Sequence, residues 1–223
     1  MNDLDKLAAM LAQQQSPLST QVLEELIWFR DELLRWNQRI NLTAITDPAE
    51  TLEKHLYDSL TLLPFLRDAQ AFLDLGSGGG FPVIPVKIAK RSLPVWSVDS
   101  CGKKITFQKH IARALKFSGF TALSSRAEKL PGFPGLPRFD VVVARAFASI
   151  GTILGLSEPL LAKNGVVIAM KGSEAERELA EAAADIDLAQ MVCCRQHHLR
   201  LPISEADRTL LVFSRKTELN SAG

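Results

Sequence analysis

A glycine-rich loop, Asp74-Leu75-Gly76-Ser77-Gly78-Gly79-Gly80, stands at the end of a short apolar run and directly before a helical stretch. Glycine lets a strand turn sharply into a helix and lets backbone approach a ligand closely, so this junction commits the chain to a strand–loop–helix unit. The rest of the chain repeats that commitment. From residue 71 onward, β-rich runs at 71–75, 95–98, 121–124, 140–144 and 166–170 alternate with helical stretches, notably 103–117 and 173–184. The runs lack clear polar alternation, as parallel strands covered on both faces do. Two last runs, 191–201 and 209–215, have no helix between them and read as a terminal antiparallel pair joined by 202–207. The expected architecture over 68–223 is a doubly wound α/β, Rossmann-like domain with a mostly parallel sheet.

Residues 1–67 read differently, as a helical N-terminal extension packed on that core. Apolar positions 22, 23, 26, 27, 33 and 34 keep the helical period. Asp47-Pro48-Ala49-Glu50 resembles a capping box with proline at the first helical position, opening a helix through Leu52, Leu56, Leu60 and Leu63.

The loop's spacing bears on its ligand. A dinucleotide fingerprint wants glycine at its first, third and sixth places, and the sixth place here is Phe81. Asp74-x-Gly76-x-Gly78-x-Gly80 suits a nucleoside without a pyrophosphate; S-adenosylmethionine is such a ligand, and no Walker lysine is present. On these residues alone the loop is either a ligand site or a tight structural turn. Asp99 lies at the end of the second strand, where an acid accepts from ribose hydroxyls; capping the next helix is its other role. Asp74 either offsets a positive ligand end or hydrogen-bonds within the turn.

The N-terminus Met1-Asn2-Asp3-Leu4-Asp5 lacks the basic and apolar regions of a secretory signal, and no uncharged apolar run approaches the ~20 residues that cross a bilayer. Cys101, Cys193 and Cys194 are too few for a disulfide framework. The chain therefore reads as cytoplasmic, soluble and without a membrane partner, and nothing demands more than a monomer. Cys193-Cys194 with His197-His198 matches no zinc spacing, so no metal is expected. Net charge is only +1, yet the window 87–116 holds eight basic residues against the single acid Asp99, and 174–187 is acidic with Arg177 its only cation. Such asymmetry suits docking of a polyanion. Lys109, Arg113 and Lys116 form one stripe of the 103–117 helix, as a solvated face or an RNA contact.

A longer series surrounds the loop: Trp36-Asn37-x-x-Ile40-Asn41-Leu42-Thr43, Asp47-Pro48 and His55-x-x-Asp58-Ser59 before it, then Asp99-Ser100-x-x-Lys103-Lys104, Arg126-Ala127-Glu128, Arg145-Ala146-Phe147-Ala148 and Lys171-Gly172. This series resembles the bacterial 16S ribosomal RNA guanine-N7 methyltransferase family, RsmG or GidB. The resemblance implies a class I S-adenosylmethionine-dependent methyltransferase fold. It implies methylation of N7 of a guanine (guanine 527, in the 530 loop) of 16S rRNA, with the small ribosomal subunit as partner. It places the cofactor at Gly76, Gly78, Phe81, Asp99, Ser100, Cys101, Ala127, Glu128 and Arg145. Val83 departs from the family's glycine.

The acceptor chemistry has its own signals. The place after the fourth strand reads Ala144-Arg145-Ala146-Phe147, not the Asn/Asp-Pro-Pro-aromatic motif of exocyclic-amine methyltransferases, and no cysteine sits where a pyrimidine-C5 enzyme needs a nucleophile. All three cysteines read as packing residues. Guanine N7 carries a free lone pair and no proton at neutral pH, so no catalytic acid or base is nominated; alignment does the catalysis. An arginine bidentate to O6 and N7 would block the acceptor, so donors to O6 alone and acceptors for N1–H and N2–H are wanted. Asn41, Asp58 and Glu128 are the candidate acceptors. Asn41, Arg126, Arg145, Lys171 and Arg208 are the candidate RNA contacts, with surface salt bridges as their bland alternative. A small-molecule methyltransferase and a non-catalytic RNA-binding module remain the competing readings.

Overall fold

The computed structural model describes residues 2–13 and 16–216. Its centre is a seven-stranded sheet: β1 (Phe72–Leu75), β2 (Val95–Asp99), β3 (Phe120–Ser124), β4 (Phe139–Arg145), β5 (Leu161–Lys171), β6 (Met191–Arg200) and β7 (Asp207–Arg215), in the order β3-β2-β1-β4-β5-β7-β6. The first five are parallel, and β7 runs antiparallel to both β5 and β6. Successive residues feed opposite faces, as strand geometry requires. Phe72, Val141 and Val143 enter one apolar cluster while Leu73, Val142 and Ala144 enter the other, so both faces are covered and no polar alternation survives in the sequence.

The terminal hairpin was expected, but not the insertion of β7 between β5 and β6. The burial pattern explains it. Leu210, Leu211, Val212 and Phe213 are all buried, whereas β6 carries Arg195, Gln196, His197 and His198 and takes the edge. After α7 (Ile150–Ser157), the expected single helix at 173–184 is two short ones, α8 (Ala175–Glu181) and α9 (Ala183–Leu188).

Helix α1 (Asp3–Gln13), α2 (Thr20–Asn37) and the segment 48–66 supply one of the two clusters together with α5 (Val83–Ala89) and α6 (Gly102–Ala114). The Ser19 hydroxyl accepts from the Val22 N–H to start α2, which turns Leu23, Leu26, Phe29 and Leu33 inward. Only half of the capping box forms. Asp47 accepts from the Glu50 N–H at 2.8 Å, but the Glu50 side chain pairs with Lys54 instead. After α3 (Pro48–Thr51) the chain widens into a π-helical turn, Leu52–Tyr57, before α4 (Asp58–Leu60). Such turns recur at functional sites. Here it carries Glu53, His55 and Asp58 into the interior, where each meets a polar partner.

Glu53 ties this segment to the sheet. Its buried carboxylate accepts the backbone N–H groups of Ile203 and Ser204 in the β6–β7 connection, the latter at 3.0 Å. Glu53→Ala leaves both donors without their acceptor, at about 1–3 kcal/mol for an unsatisfied group. Urea unfolding should show the loss as a lower midpoint at unchanged slope.

Candidate active site

The C-terminal ends of β1, β2 and β4 meet where the strand order reverses, which is where open α/β sheets place their ligands. The glycine loop leaves β1 there and is held from below. Gly76 and Ser77 donate to the Val98 carbonyl at 2.9 and 3.0 Å. Beneath them lies a buried cluster that the sequence did not announce. The Ser97 hydroxyl donates to Ser77 Oγ at 2.6 Å, and Gln108 Nε2 donates to Ser77 Oγ and to the Gly78 carbonyl, both at 2.9 Å. Asp99 holds the loop from the side, accepting from the Gly78 N–H at 2.9 Å and the Cys101 N–H at 2.8 Å. It does not cap α6, whose N-cap residue is Cys101.

A cavity of about 480 Å³ opens against this loop, lined by Gly76, Asp99, Ser100, Cys101, Arg126, Ala127 and Glu128, together with Lys104, Ala146 and Phe147. The residues present fit a phosphate-free nucleoside. Gly76 has φ +73°, and a Cβ there would stand 2.2 Å from the Phe147 ring. Gly78 has φ +56° and nothing within 4 Å of an added Cβ, so its bare backbone faces open space. Asp99 keeps lone pairs beyond its two backbone bonds, the chemistry a ribose diol needs.

Gly78, Phe81 and Arg145 were expected at the cofactor, and none of the three lines this cavity; Gly78 turns its N–H to Asp99 instead. Phe81 is buried, its ring stacked on His55 with centroids 4.3 Å apart, and the Arg145 guanidinium lies over the Phe81 ring, 5.4 Å from its centroid. The bulky ring that excludes a dinucleotide fingerprint is a packing element between loop and helices. Asp74 is fully buried; its Oδ2 accepts from the Val83 N–H at 3.1 Å, and burial pushes its carboxyl well above the usual carboxylate range. Val83 is buried in the cluster with α2 and does not line the cavity, so its departure from glycine falls away from the ligand side.

Arg145 instead belongs to a second cavity of about 240 Å³, which it lines with Ile45, Lys54, His55, Asp58, Lys171 and Arg208. The two cavities share Ala146, a non-glycine residue at φ 48°. Three of the expected RNA contacts, Arg145, Lys171 and Arg208, thus converge. Arg126 lies in the first cavity, and Asn41 lines a third with Arg39, Lys103 and Lys104. Asn37 shapes the Asn41 loop, accepting from the Leu42 and Thr43 N–H groups at 2.7 and 3.0 Å.

The second cavity's charges are matched internally. Asp58 is 2% exposed and takes Arg145 at 3.1 Å and Arg208 at 3.3 Å, so it holds two arginines rather than standing free to read a base. Lys171 donates to Glu178 at 2.6 Å and to the Ala148 carbonyl at 3.0 Å. His55 contacts Arg145 through Nδ1 at 3.2 Å and Thr43 Oγ1 through Nε2 at 2.7 Å. Nδ1 also stands 3.1 Å from the Lys54 carbonyl, so both ring nitrogens are engaged by protein groups. Burial, with the Arg145 charge second, holds His55 at about 3, so the ring is neutral.

Of the three cysteines only half-buried Cys193 packs against an apolar cluster, while Cys101 and Cys194 are exposed and are not packing residues. The basic window also shrinks on folding. Lys87 is buried and donates to the Arg91 and Leu93 carbonyls, Lys90 donates to the Leu66 carbonyl, and Arg91 pairs with Glu25.

Comparison with known proteins is in keeping with this geometry. The family described as rRNA small subunit methyltransferase G matches residues 22–207. The chain is 50% identical over 199 residues to the ribosomal RNA small subunit methyltransferase G of Syntrophotalea carbinolica, covering 89% of this chain and 92% of that one. It is 44% identical over 186 residues to the protein of the same name from Myxococcus xanthus, covering 83% and 84%. Among solved structures, the ribosomal protein L11 methylase from Lactobacillus delbrueckii aligns with a TM-score of 0.56 at 15% identity, covering 77% of this chain and 81% of that one. A precorrin-6y methyltransferase from Geobacter metallireducens aligns with a TM-score of 0.55 at 12% identity, covering 79% and 92%. At these identities the likeness is one of fold, the class I methyltransferase fold.

Asp99→Ala removes the acceptor for two loop N–H groups, and bonds to a charged group contribute about 1.5–3 kcal/mol each. S-adenosylmethionine affinity, measured by calorimetry, should fall about tenfold or more; an unaltered Kd would contradict the assignment of Asp99 to the ligand side. His55 sets a pH dependence. Its folded pKa of about 3 lies below the ordinary 6.5, so between these values the unfolded chain binds more protons and stability falls as pH drops through the window. His55→Asn should flatten the pH dependence of urea unfolding between pH 7 and pH 5.

Proposed function

This chain belongs to the rRNA small subunit methyltransferase G family and is an S-adenosylmethionine-dependent methyltransferase of small-subunit ribosomal RNA, and on that premise we propose that its acceptor is N7 of guanine 527 in the 530 loop of 16S rRNA. The observation that carries the choice of N7 is the state of the second cavity. Asp58 is bound by two guanidiniums, Lys171 is engaged, and His55 presents neither a free lone pair nor a dissociable cation. No group there is available to remove a proton. An exocyclic amine or a ring N–H must lose a proton to be methylated, whereas N7 offers a ready lone pair.

The cofactor, when bound, supplies a methyl group on a sulfonium, an electrophile that needs no further activation. The rest is positioning. We assign Gly76, Gly78, Asp99, Ser100, Cys101, Ala127 and Glu128 to the cofactor, with Asp99 on the ribose and Glu128 on the adenine edge. Ala146 lines both cavities, with Phe147 next to it on the cofactor side, where the two reactants must meet in line. Arg145, Lys171 and Arg208 each have N–H groups beyond those their protein partners use, available to guanine O6 or the flanking phosphate. Because Asp58 and Glu178 hold them, they are aimed before RNA arrives. Among the described residues no helix is long and apolar enough to cross a membrane, in keeping with a ribosomal substrate.

The test is transfer of a tritiated methyl group to small subunits that lack the modification, followed by digestion to nucleosides. Label is expected in 7-methylguanosine. Label in another nucleoside, or none while the cofactor still binds, would overturn the assignment. Lys171→Ala and Arg208→Ala should lower turnover on subunits by about tenfold or more and leave cofactor affinity within about twofold, since each removes a contact on the acceptor side only.

A further inference from the structure

A groove leads from the cofactor cavity away from the acceptor cavity. The first cavity shares Cys101 and Lys104 with one of about 260 Å³. That one shares Arg39 and Ile40 with a third of about 560 Å³, where Trp36 and His110 lie. The three form one continuous track along the end of α2 and the start of α6.

Two properties set this track apart. The first is its charge. Arg39, Lys103, Lys104 and Arg126 make no side-chain hydrogen bond or ion pair among the described residues, whereas every cation of the acceptor cavity is partnered. The second is an aromatic at its far end. Trp36 is half-buried, packed on Phe107 with centroids 5.4 Å apart and on His110 at 4.9 Å. The acid nearest this end, Glu32, is buried and held by Arg35 and His110, so it presents little free charge to the groove. Free cations ending at an aromatic are the elements that hold a single strand: phosphates follow the charges and a base stacks on the ring.

We infer that this groove seats the rRNA strand flanking the target nucleotide, with phosphates on Arg126, Lys104, Lys103 and Arg39 and one unpaired base on Trp36. The inference rests on the reading that ribosomal RNA is the substrate. It extends that reading to a surface outside the acceptor cavity and outside the Lys109–Arg113 stripe of α6.

The variants are R39A/K103A, which alters two exposed side chains without partners, and Trp36→Leu beside Trp36→Phe. Lys163→Ala, exposed on β5 and outside every cavity described here, is the control. The readouts are KM for small subunits lacking the modification, the salt dependence of binding to deproteinised 16S rRNA, and cofactor affinity. The double variant should raise KM about tenfold and make the log–log salt slope shallower by about 1.4, at roughly 0.7 per single-strand phosphate contact, with cofactor affinity unchanged. Trp36→Leu should raise KM about tenfold and Trp36→Phe should recover most of it, because stacking survives on a smaller ring. An unchanged KM and slope in the double variant overturns the inference. So does a raised KM on subunits with an unchanged slope on naked rRNA, which would give the groove to a ribosomal protein. If the unmodified chain transfers no methyl group to subunits, the parent reading fails first, and that result is distinct from a variant matching an active parent.

Discussion

The proposed acceptor side of this molecule depends on the buried carboxylate of Asp58. It sits on the helical segment before the sheet, yet its partners are Arg145 at the end of β4 and Arg208 near the start of β7. A carboxylate out of water is costly unless its partners are well placed, and removing one partner of such a group is far more damaging than the pair's net contribution. The helical segment, the parallel half of the sheet and the antiparallel hairpin therefore have one arrangement that satisfies this charge. Glu53, five residues earlier, makes a second tie between the same segment and the hairpin connection. Glu53 lies in the π-helical turn and Asp58 directly after it, and both are buried.

From Asp58 the restraint passes to the cofactor side through packed groups. Arg145 contacts His55, His55 stacks on Phe81, and the Phe81 N–H donates back to the Ser77 carbonyl inside the glycine loop. The loop itself rests on Ser97 and Gln108. Each cavity is thus held by its own polar network, and the two networks meet through one aromatic ring. For a reaction whose rate depends on alignment of two bound partners, this common frame is the functional part of the fold.

The charge distribution follows the same geometry. The partnered cations face the acceptor cavity, while Lys103, Lys104, Arg39 and Arg126 are left free beside the cofactor cavity. The acidic helices α8 and α9 pack on the other side of the sheet order, near β5 and β6. A polyanion approaching such a molecule is oriented before it makes contact.

Much of this was legible in the residues alone. The glycine loop and the apolar runs determined the alternation of strands and helices, because backbone freedom and two-sided burial are local requirements. Gly76 and Asp99 could be named because loop and acid follow consecutive strand ends; Ala127-Glu128, which line the same cavity, came from the family resemblance. The roles of Phe81, Arg145 and Asp58 could not, since each depends on a neighbour between 26 and 87 residues away in the chain. Nor could the loss of Lys87, Lys90 and Arg91 from the basic face, because a sequence window counts charges without showing which ones meet carbonyls or acids. The sequence by itself determined the proposed cofactor half of the site, whose parts lie on adjacent strand ends. Only the tertiary structure decided the proposed acceptor half, because long-range charge pairing, invisible to local pattern, settles which polar groups are spent on each other and which stay free.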